Sequence, residues 1–323
     1  MSDIDPFLYM SPYLKIRALS AALGMGLVDH LRAHPASSLA AIASQRKLHR
    51  RGCQLVVNVL LEHGLFVRAA GAPDAISLSP GFVADLDGDE EFVREMVSYM
   101  DKVYRDLGSL EEAATTGAFE GEVRHFWTYR GQGEAGPQHE PLLRVLTRQA
   151  ARGIVEAMDL SGRETVLDAG GNSGTFATSI LARHPAARCA VFDLPGPCEE
   201  GRRRFAEQVA SGGLRFFEGD FQEHDFPKGF EVVVFKGVLN DWPDNLIAML
   251  LQKGRAALAP GGRLIVVEHM QGEWGAEVDA WFDISFMYLI EQGREFRTKD
   301  FYADHLRTIG GRDLTASRSP PRA

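Results

Sequence analysis

The sequence is poor in the features that mark several large classes of protein. It holds only 3 cysteines in 323 residues, and Cys53, Cys189 and Cys198 form no CxxC pair. A disulfide framework or a zinc site is therefore not expected, and the composition fits a reducing compartment. No apolar run approaches the roughly 20 residues of a membrane span, and the N-terminus lacks the basic start of a signal peptide. We expect a cytoplasmic protein that does not contact membranes.

Excess positive charge is also missing. Lysine and arginine number 35 against 44 aspartates and glutamates, for a net charge of −9. An acidic chain of this kind is not expected to bind nucleic acid nonspecifically. The hydrophobic content of 45% is ordinary for a globular protein, and the length allows two domains.

The common nucleotide-binding motifs are absent as well, although residues 166–175 (VLDAGGNSGT) form an apolar run, a glycine cluster and a helix start. A dinucleotide fingerprint starting at Gly170 needs glycine where Asn172 and Thr175 stand, and no Gly-Lys-Ser/Thr follows for a phosphate loop. The pattern acidic-x-Gly-x-Gly-x-Gly, typical of S-adenosylmethionine (SAM) loops, fits Asp168, Gly170 and Gly174. Asn172 replaces the middle glycine, which is a mild exchange because asparagine tolerates the left-handed conformation.

A second acid supports a cofactor with a ribose. Asp193 ends the next predicted strand, close to the offset of roughly 20 residues at which an acid holds ribose hydroxyls. Either acid alone would be weak support, since aspartate at a strand end also caps helices. Together with the loop, the two acids favour SAM.

The C-terminal half alternates between predicted strands and helices. The strands fall at residues 166–168, 190–193, 214–218, 232–236 and 263–268, with helices at 175–183, 199–211 and 245–258 and a turn at 259–262. This alternation predicts an α/β fold, a Rossmann-like parallel sheet with helices on both faces and ligands at the carboxyl ends of the strands.

The N-terminal third predicts a mostly helical winged-helix module. Helical spacing covers residues 13–31, 39–43 and 50–63, and residues 65–68 and 76–78 read as a hairpin. Two roles compete for this module. It could bind DNA through a basic cluster, or it could be a dimerisation domain, which the acidity of the chain and the apolar helix 50–63 favour. The cluster consists of Arg46, Lys47, His49, Arg50 and Arg51.

At this point the chain resembles a known family, the SAM-dependent O-methyltransferases of the plant caffeate and isoflavone type and their bacterial natural-product relatives. The segments that carry the resemblance are VLDAGGNSG (166–174), VFDLPG (191–196), FFEGDF (216–221), VVVFKGVLNDWPD (232–244), LAPGGRLIVVEH (258–269), WFDISFMYLI (281–290) and GREFRTKDF (293–301). The resemblance implies a dimerisation domain at residues 1–90, a helical linker covering the active site at 91–160 and a SAM-binding domain at 161–323. It also implies a homodimer formed through the N-terminal domain, with S-adenosylhomocysteine as the product.

The resemblance further implies a set of cofactor-binding residues. Gly170, Gly171 and Asn172 would approach the methionine part of SAM, and Asp193 would hold the ribose. Asp220 and Phe221 would contact the adenine, Lys236 would lie at the cofactor end of its strand, and Trp242 would close the adenine side. Asp168, Gly174 and Leu194 complete the set of cofactor-binding residues.

The pattern breaks where the family carries its catalytic base. The family's histidine is replaced by Asn240, and an amide cannot accept a proton at neutral pH. The supporting carboxylates Glu268 and Glu295 remain, and they could hold Asn240, bind a cationic substrate or act as bases. Asn240 itself would hydrogen-bond the substrate, with Glu268, Asp241 or His269 as a reserve base. A metal held by Asp241, Glu268 and His269 is not expected, because their spacing matches no metal motif and adjacent strand residues point to opposite faces.

Three hypotheses therefore stand. The chain methylates an easily ionised oxygen, a nitrogen or an activated carbon of a small, aromatic or natural-product substrate, or it keeps SAM but catalyses a cyclisation, elimination or rearrangement. In the third, it is a non-enzymatic winged-helix regulator, which the intact loop and both acids disfavour. The candidate substrate-pocket residues are Phe126, Trp127, Tyr129, Phe286, Met287 and Tyr288.

Overall fold

The structure, a computed structural model, describes residues 6–69, 71–116, 121–122, 140–273, 275, 279, 296–311 and 315. The chain divides into two compact units, Met1–Glu111 and Glu112–Ala323. Helix α6 (Leu110–Thr116) spans this division. None of the described helices is both long enough and apolar enough to cross a membrane.

The first unit combines helices with a small antiparallel sheet of order β1-β3-β2. Its elements are α1 (Pro6–Gly24), α2 (Leu27–Ala33), β1 (Ser37–Ser38), α3 (Leu39–Gln45), α4 (Arg50–Glu62), β2 (Phe66–Ala69), β3 (Ala72–Leu78) and α5 (Pro80–Asp106). Leu27, Ile42 and Leu60 lie in the core that these elements share. The predicted helices and hairpin are therefore present in this unit.

Helix α5 is broken at one residue. Asp89 has the non-helical angles φ −160° and ψ 80°, and its Oδ1 accepts a hydrogen bond of 3.1 Å from the backbone N–H of Phe92. An aspartate that accepts from the third residue after it acts as an N-cap, so a second helix starts here. The expected domain boundary at residue 90 lies beside this break, whereas the two compact units separate after Glu111.

The second unit contains a five-stranded parallel sheet of order β6-β5-β4-β7-β8. The strands are β4 (Thr165–Ala169), β5 (Arg188–Asp193), β6 (Leu214–Glu218), β7 (Phe230–Lys236) and β8 (Leu258–Val267). The helices are α7 (Glu140–Ala157), α8 (Thr175–Arg183), α9 (Pro195–Arg204), α10 (Ala206–Ala210), α11 (Asp244–Ala257) and α12 (Lys299–Thr308). The predicted α/β class is confirmed.

Alternate residues of each strand supply two separate cores. Val166 and Val234 belong to the core under α7 and α8, whereas Leu167 and Val233 belong to the core under α11 and α12. This strict alternation follows from the strand repeat of two. Because β4 and β7 are neighbours while their chain connections run to opposite sides, their carboxyl ends form the switch point at which such sheets bind ligands.

Two predicted boundaries differ from the structure. The expected turn at residues 259–262 is a bulge inside β8, since Leu258 pairs with Phe230 and Arg263 pairs with Val232. The expected helix at 199–211 is two helices, α9 and α10, because Phe205 has the non-helical angles φ −113° and ψ 39°. Neither difference moves a residue at the carboxyl ends of the strands.

Candidate functional site

The glycine-rich loop joins β4 to α8 at the switch point of the sheet. Gly170 and Gly174 have φ values of 73° and 85°, and Asn172, a non-glycine residue, has φ 53°. A Cβ at Gly171 would lie 2.5 Å from both Cγ and Oδ2 of Asp168. The loop therefore rests directly on this carboxylate, and only glycine allows so close an approach.

Asp193 holds the loop from the end of the neighbouring strand. Its Oδ2 accepts a hydrogen bond of 2.8 Å from the backbone N–H of Asn172, and its Oδ1 accepts one of 2.8 Å from that of Leu194. Burial raises the pKa of Asp193 to about 6, although both N–H groups lower it. Each carboxylate oxygen retains a further lone pair, so Asp193 can position the loop and still accept from a ligand.

Asp168 is buried at the centre of the site, with 2% of its surface exposed. Its Oδ2 meets no hydrogen-bond donor in the described part of the chain. Burial raises the pKa of Asp168 to about 7, against the lowering influence of Lys236. A buried acceptor of this kind is costly unless something donates to it.

Lys236 ends β7 and is half-buried. Its Nζ donates a hydrogen bond of 2.8 Å to Oγ1 of Thr147 on α7. Burial lowers the pKa of Lys236, while the carboxylates of Asp168 and Glu268 act in the opposite direction. The cation thus lies in the fields of two acids, the buried Asp168 and the half-buried Glu268, and opposite charges of this kind offset the cost of removing the lysine from water.

Glu268 follows β8 and closes the other side of this charge cluster. Its Oε1 accepts hydrogen bonds of 2.8 and 2.7 Å from the backbone N–H groups of Val238 and Leu239. Its Oε2 accepts one of 3.1 Å from Nδ2 of Asn240. Burial raises the pKa of Glu268 to about 7, even though the backbone N–H groups of Val238, Leu239 and Asn240 and the charge of Lys236 lower it. The carboxyl group can therefore gain or lose a proton near neutral pH.

Asn240 has hydrogen bonds within the protein at both ends of its amide. Besides Glu268, its Nδ2 donates to the backbone oxygen of His269 at 2.9 Å, and its Oδ1 accepts from the hydroxyl of Tyr302 at 2.6 Å. Only 3% of its surface is exposed. The amide of Asn240 is thus part of the protein's internal hydrogen bonding.

An aromatic pair lies among the residues predicted to contact the adenine. The rings of Phe221 and Trp242 meet edge to face, with 5.3 Å between their centres. Nζ of Lys253 on α11 donates hydrogen bonds of 2.9 Å to the backbone oxygens of Phe221 and His224. The loop that begins with Asp220 is thereby fixed to α11.

The remaining predicted site residues are placed differently or lie outside the described residues. Asp241 is exposed, in contrast to its buried neighbour Asn240. The ring of His269 packs on Phe296 at 4.6 Å between centres, and its Nε2 lies 3.3 Å from Oδ1 of Asp279. The residues outside the described parts are Phe126, Trp127, Tyr129, Phe286, Met287, Tyr288 and Glu295.

Sequence reasoning missed three residues that complete the site. Thr147 carries a detectable signal, since it is a polar residue on the buried stripe of the amphipathic α7. No signal in the sequence marks Glu140 or Tyr302. Glu140 accepts a hydrogen bond of 2.9 Å from the hydroxyl of Ser173. The contacts of Glu140 and Tyr302 join segments 33 and 62 residues apart.

Comparison with known proteins identifies the family of the chain. A family model described as an O-methyltransferase domain matches residues 134–310. Demethylspheroidene O-methyltransferase of Rhodobacter capsulatus is 33% identical over 199 residues, which are 60% of this chain and 48% of the relative. Aclacinomycin 10-hydroxylase of Streptomyces purpurascens is 30% identical over 298 residues, which are 89% of this chain and 78% of the relative.

A solved structure shows the same fold over the whole length. Human N-acetylserotonin methyltransferase in complex with SAM superposes with a TM-score of 0.80 at 22% identity, covering 99% of this chain and 96% of that one. By sequence, the chain spans about half the length, 48%, of the two demethylspheroidene O-methyltransferases that it matches. The family model and the Streptomyces relative nevertheless cover most of this chain, and the chain belongs to the O-methyltransferase domain family.

Proposed function

We propose that the protein binds SAM and transfers its methyl group to an oxygen of a small molecule, with S-adenosylhomocysteine as the second product. The observation that carries this proposal is the collection of groups at one edge of the sheet. The glycine-rich loop, Asp168, Asp193, Lys236 and Glu268 all lie where parallel strands end, which is where α/β folds bind their ligands. The family membership supports the same reaction.

The site fits SAM on two features of the chain. The unpartnered Oδ2 of Asp168 is an acceptor suited to a cationic ligand, and Gly171 allows a ligand to approach the loop backbone without a Cβ in the way. When bound, SAM supplies a methyl group on a positively charged sulfur. The residues that would hold it are Asp168, Gly170, Gly171, Asn172 and Gly174 at the methionine part, Asp193 and Leu194 at the ribose, Asp220, Phe221 and Trp242 at the adenine, and Lys236 beneath them.

The chain's own contribution to the reaction is alignment rather than proton removal at residue 240. Asn240 cannot accept a proton, and its amide is engaged with Glu268, His269 and Tyr302. Holding two reactants in line supplies a large part of the rate of a displacement reaction. General-base assistance is worth about 10²–10⁴-fold, so a substrate hydroxyl that ionises readily has the least need of it.

A proton acceptor remains available nevertheless. We assign this role to Glu268, whose raised pKa of about 7 allows the carboxyl group to take a proton near neutral pH. Glu295, Asp241 and His269 are alternative acceptors.

The test is to incubate the protein with SAM and a series of small hydroxylated aromatic compounds of graded hydroxyl acidity, and to measure S-adenosylhomocysteine. We expect turnover to rise with the acidity of the hydroxyl group. Calorimetry with SAM alone is the companion measurement, with Asp193→Ala as the variant that loses affinity. If SAM does not bind the native protein, the proposed function is wrong.

A second function has support from a specific observation. The amide at position 240 differs from the family's histidine, and the relative from Streptomyces purpurascens is named a hydroxylase. The alternative is an enzyme that keeps SAM and uses its positive charge in a reaction without methyl transfer, such as a cyclisation, elimination or rearrangement. Substrate consumption with SAM present, but without S-adenosylhomocysteine, would favour this alternative.

We propose for the N-terminal unit the winged-helix dimerisation role that the resemblance implies, within a homodimer. Three exposed apolar side chains support it, Tyr13, Leu14 and Leu55. Residues 91–160 would cover the active site, consistent with the contribution of Thr147 to the charge cluster. Sedimentation of the native protein and of Leu55→Glu measures the dimer. Three free, buried cysteines are consistent with a cytoplasmic location.

A further inference from the structure

Tyr302 is the one side chain of α12 that is buried, with 2% of its surface exposed. Thr298 caps this helix by accepting a hydrogen bond of 3.2 Å from the backbone N–H of Phe301. The cap fixes the first turn, on which Tyr302 lies. Its hydroxyl reaches Oδ1 of Asn240, 62 residues earlier in the chain.

The neighbours of Asn240 determine which way its amide faces. Oε2 of Glu268, as a carboxylate, and the backbone oxygen of His269 only accept hydrogen bonds, so the amide nitrogen must face them. Oδ1 then faces Tyr302, and the tyrosine hydroxyl must be the donor. The two acceptors exclude the flipped amide, which would turn Oδ1 toward them, and the hydroxyl holds the amide further by donating to Oδ1.

We propose that Tyr302 is a positioning residue that acts through Asn240 on the carboxylate of Glu268, and that its hydroxyl is the reason why position 240 holds an amide rather than an imidazole. The assignment rests on the geometry of three side chains and one backbone oxygen. It deepens the proposed function, because Glu268 is the group to which we assign the proton of the substrate.

An imidazole does not satisfy the same three partners. Asparagine places an oxygen and a nitrogen on Cγ, whereas histidine places a nitrogen and a carbon there. If the ring nitrogen faces Glu268, a carbon takes the place of Oδ1, only 2.6 Å from the tyrosine hydroxyl. Even a C–H···O contact needs about 3.3 Å. If the nitrogen faces Tyr302, Glu268 loses its donor.

The first experiment uses stability and does not depend on methyl transfer. We expect Tyr302→Phe to lower Tm in the native background and to have no such effect in an Asn240→Leu background, because the hydroxyl then has no amide to orient. Thr308→Val, which removes a hydroxyl from the same helix, is the matched control. Equal effects of Tyr302→Phe in both backgrounds would overturn the proposal.

The second experiment follows the titration of Glu268. Loss of an oriented N–H donor favours the protonated acid, so Tyr302→Phe should move this titration to higher pH by about half a unit. The unfolding free energies of the native protein and of Glu268→Gln are measured as a function of pH, and their difference gives the titration of Glu268. The same difference between Tyr302→Phe and Tyr302→Phe/Glu268→Gln gives the titration without the hydroxyl. All four proteins keep Lys236, whose charge acts on position 268. An unchanged midpoint would overturn the proposal even if Asn240→Leu does not fold.

The third experiment tests the steric argument directly. Asn240→His should lower Tm in the native protein and should be tolerated better in the Tyr302→Phe background, where the clashing oxygen is gone. If histidine is equally tolerated in both, the hydroxyl does not select the amide. A failure of the proposed function can be told apart from a failure of this proposal. In that case the native protein forms no S-adenosylhomocysteine from SAM, while the unfolding measurements still give the results expected here.

Discussion

Substitution of Glu268 by glutamine tests whether burial or the surrounding donors control the charge at the centre of the site. The change keeps the shape of the side chain and removes its ability to ionise. A glutamine Oε1 can still accept from the backbone N–H groups of Val238 and Leu239. Its NH₂ group then faces the NH₂ group of Asn240, and two donors confront each other. Flipping the amide of Asn240 turns its oxygen toward the backbone oxygen of His269. Flipping the glutamine amide turns its NH₂ group toward the two backbone N–H groups.

The magnitude follows from the shift of the pKa. Glu268 has an ordinary value of 4.5 and a folded value of about 7. Between these values the folded protein binds more protons than the unfolded chain, so this group stabilises the fold at low pH and the contribution is lost as pH rises through 7. Between pH 5 and pH 8 the loss amounts to about 2–3 kcal/mol. Glutamine does not titrate and leaves only a pH-independent cost of about 1–3 kcal/mol for the mismatched donors.

The assay is urea unfolding of both proteins at pH 5, 6, 7 and 8. We expect the native protein to exceed Glu268→Gln in unfolding free energy by about 2–3 kcal/mol more at pH 5 than at pH 8. Asp168 and Asp193 also have raised pKa values, but both proteins contain them, so their contributions cancel in the difference. Glu156→Gln, at a half-exposed ion pair with Arg152, is the control for the loss of one carboxylate.

A difference that stays constant with pH, or that grows toward pH 8, would refute the reasoning. It would mean that Lys236 and the three N–H donors outweigh burial and hold Glu268 ionised throughout. The carboxyl group would then be a poor proton acceptor near neutral pH, and the role that we assign to it would pass to another residue. The unfolding slopes must agree between the variants for the comparison to hold.

Two other substitutions test the cofactor end of the site. Gly171→Ala places a Cβ 2.5 Å from Asp168. We expect it to lower the unfolding free energy by about 1–3 kcal/mol and to weaken SAM binding in calorimetry. The control is Gly196→Ala, which has open space around it and should change neither quantity. Lys253→Met removes both hydrogen bonds to the loop that carries Phe221. We expect a several-fold higher dissociation constant for SAM, with unchanged sheet structure by circular dichroism. An unchanged dissociation constant would mean that the position of Phe221 does not depend on this lysine.

Local pattern was enough for the fold of the second unit and for its cofactor loop. The alternation of apolar runs with helical stretches predicts the parallel sheet, because a strand buried on both faces needs continuous apolar residues. The sequence likewise predicts the glycine loop of residues 170–174 and the acids at the ends of β4 and β5, because backbone conformation is a local property. Asn172, at φ 53°, adopts the left-handed conformation expected from its place in the loop.

The role of position 240 is not a local property. From the sequence, Asn240 is a missing base whose amide is expected to hydrogen-bond the substrate or to be held by the supporting carboxylates. Only folding brings β8, the turn after β7 and α12 together, so that Glu268, Asn240 and Tyr302 form one hydrogen-bonded series. Thr147 meets Lys236 across 89 residues for the same reason. The sequence by itself determined the sheet, the loop and the family; the tertiary structure decided which buried groups meet, because pairs this far apart along the chain leave no periodic signal in it.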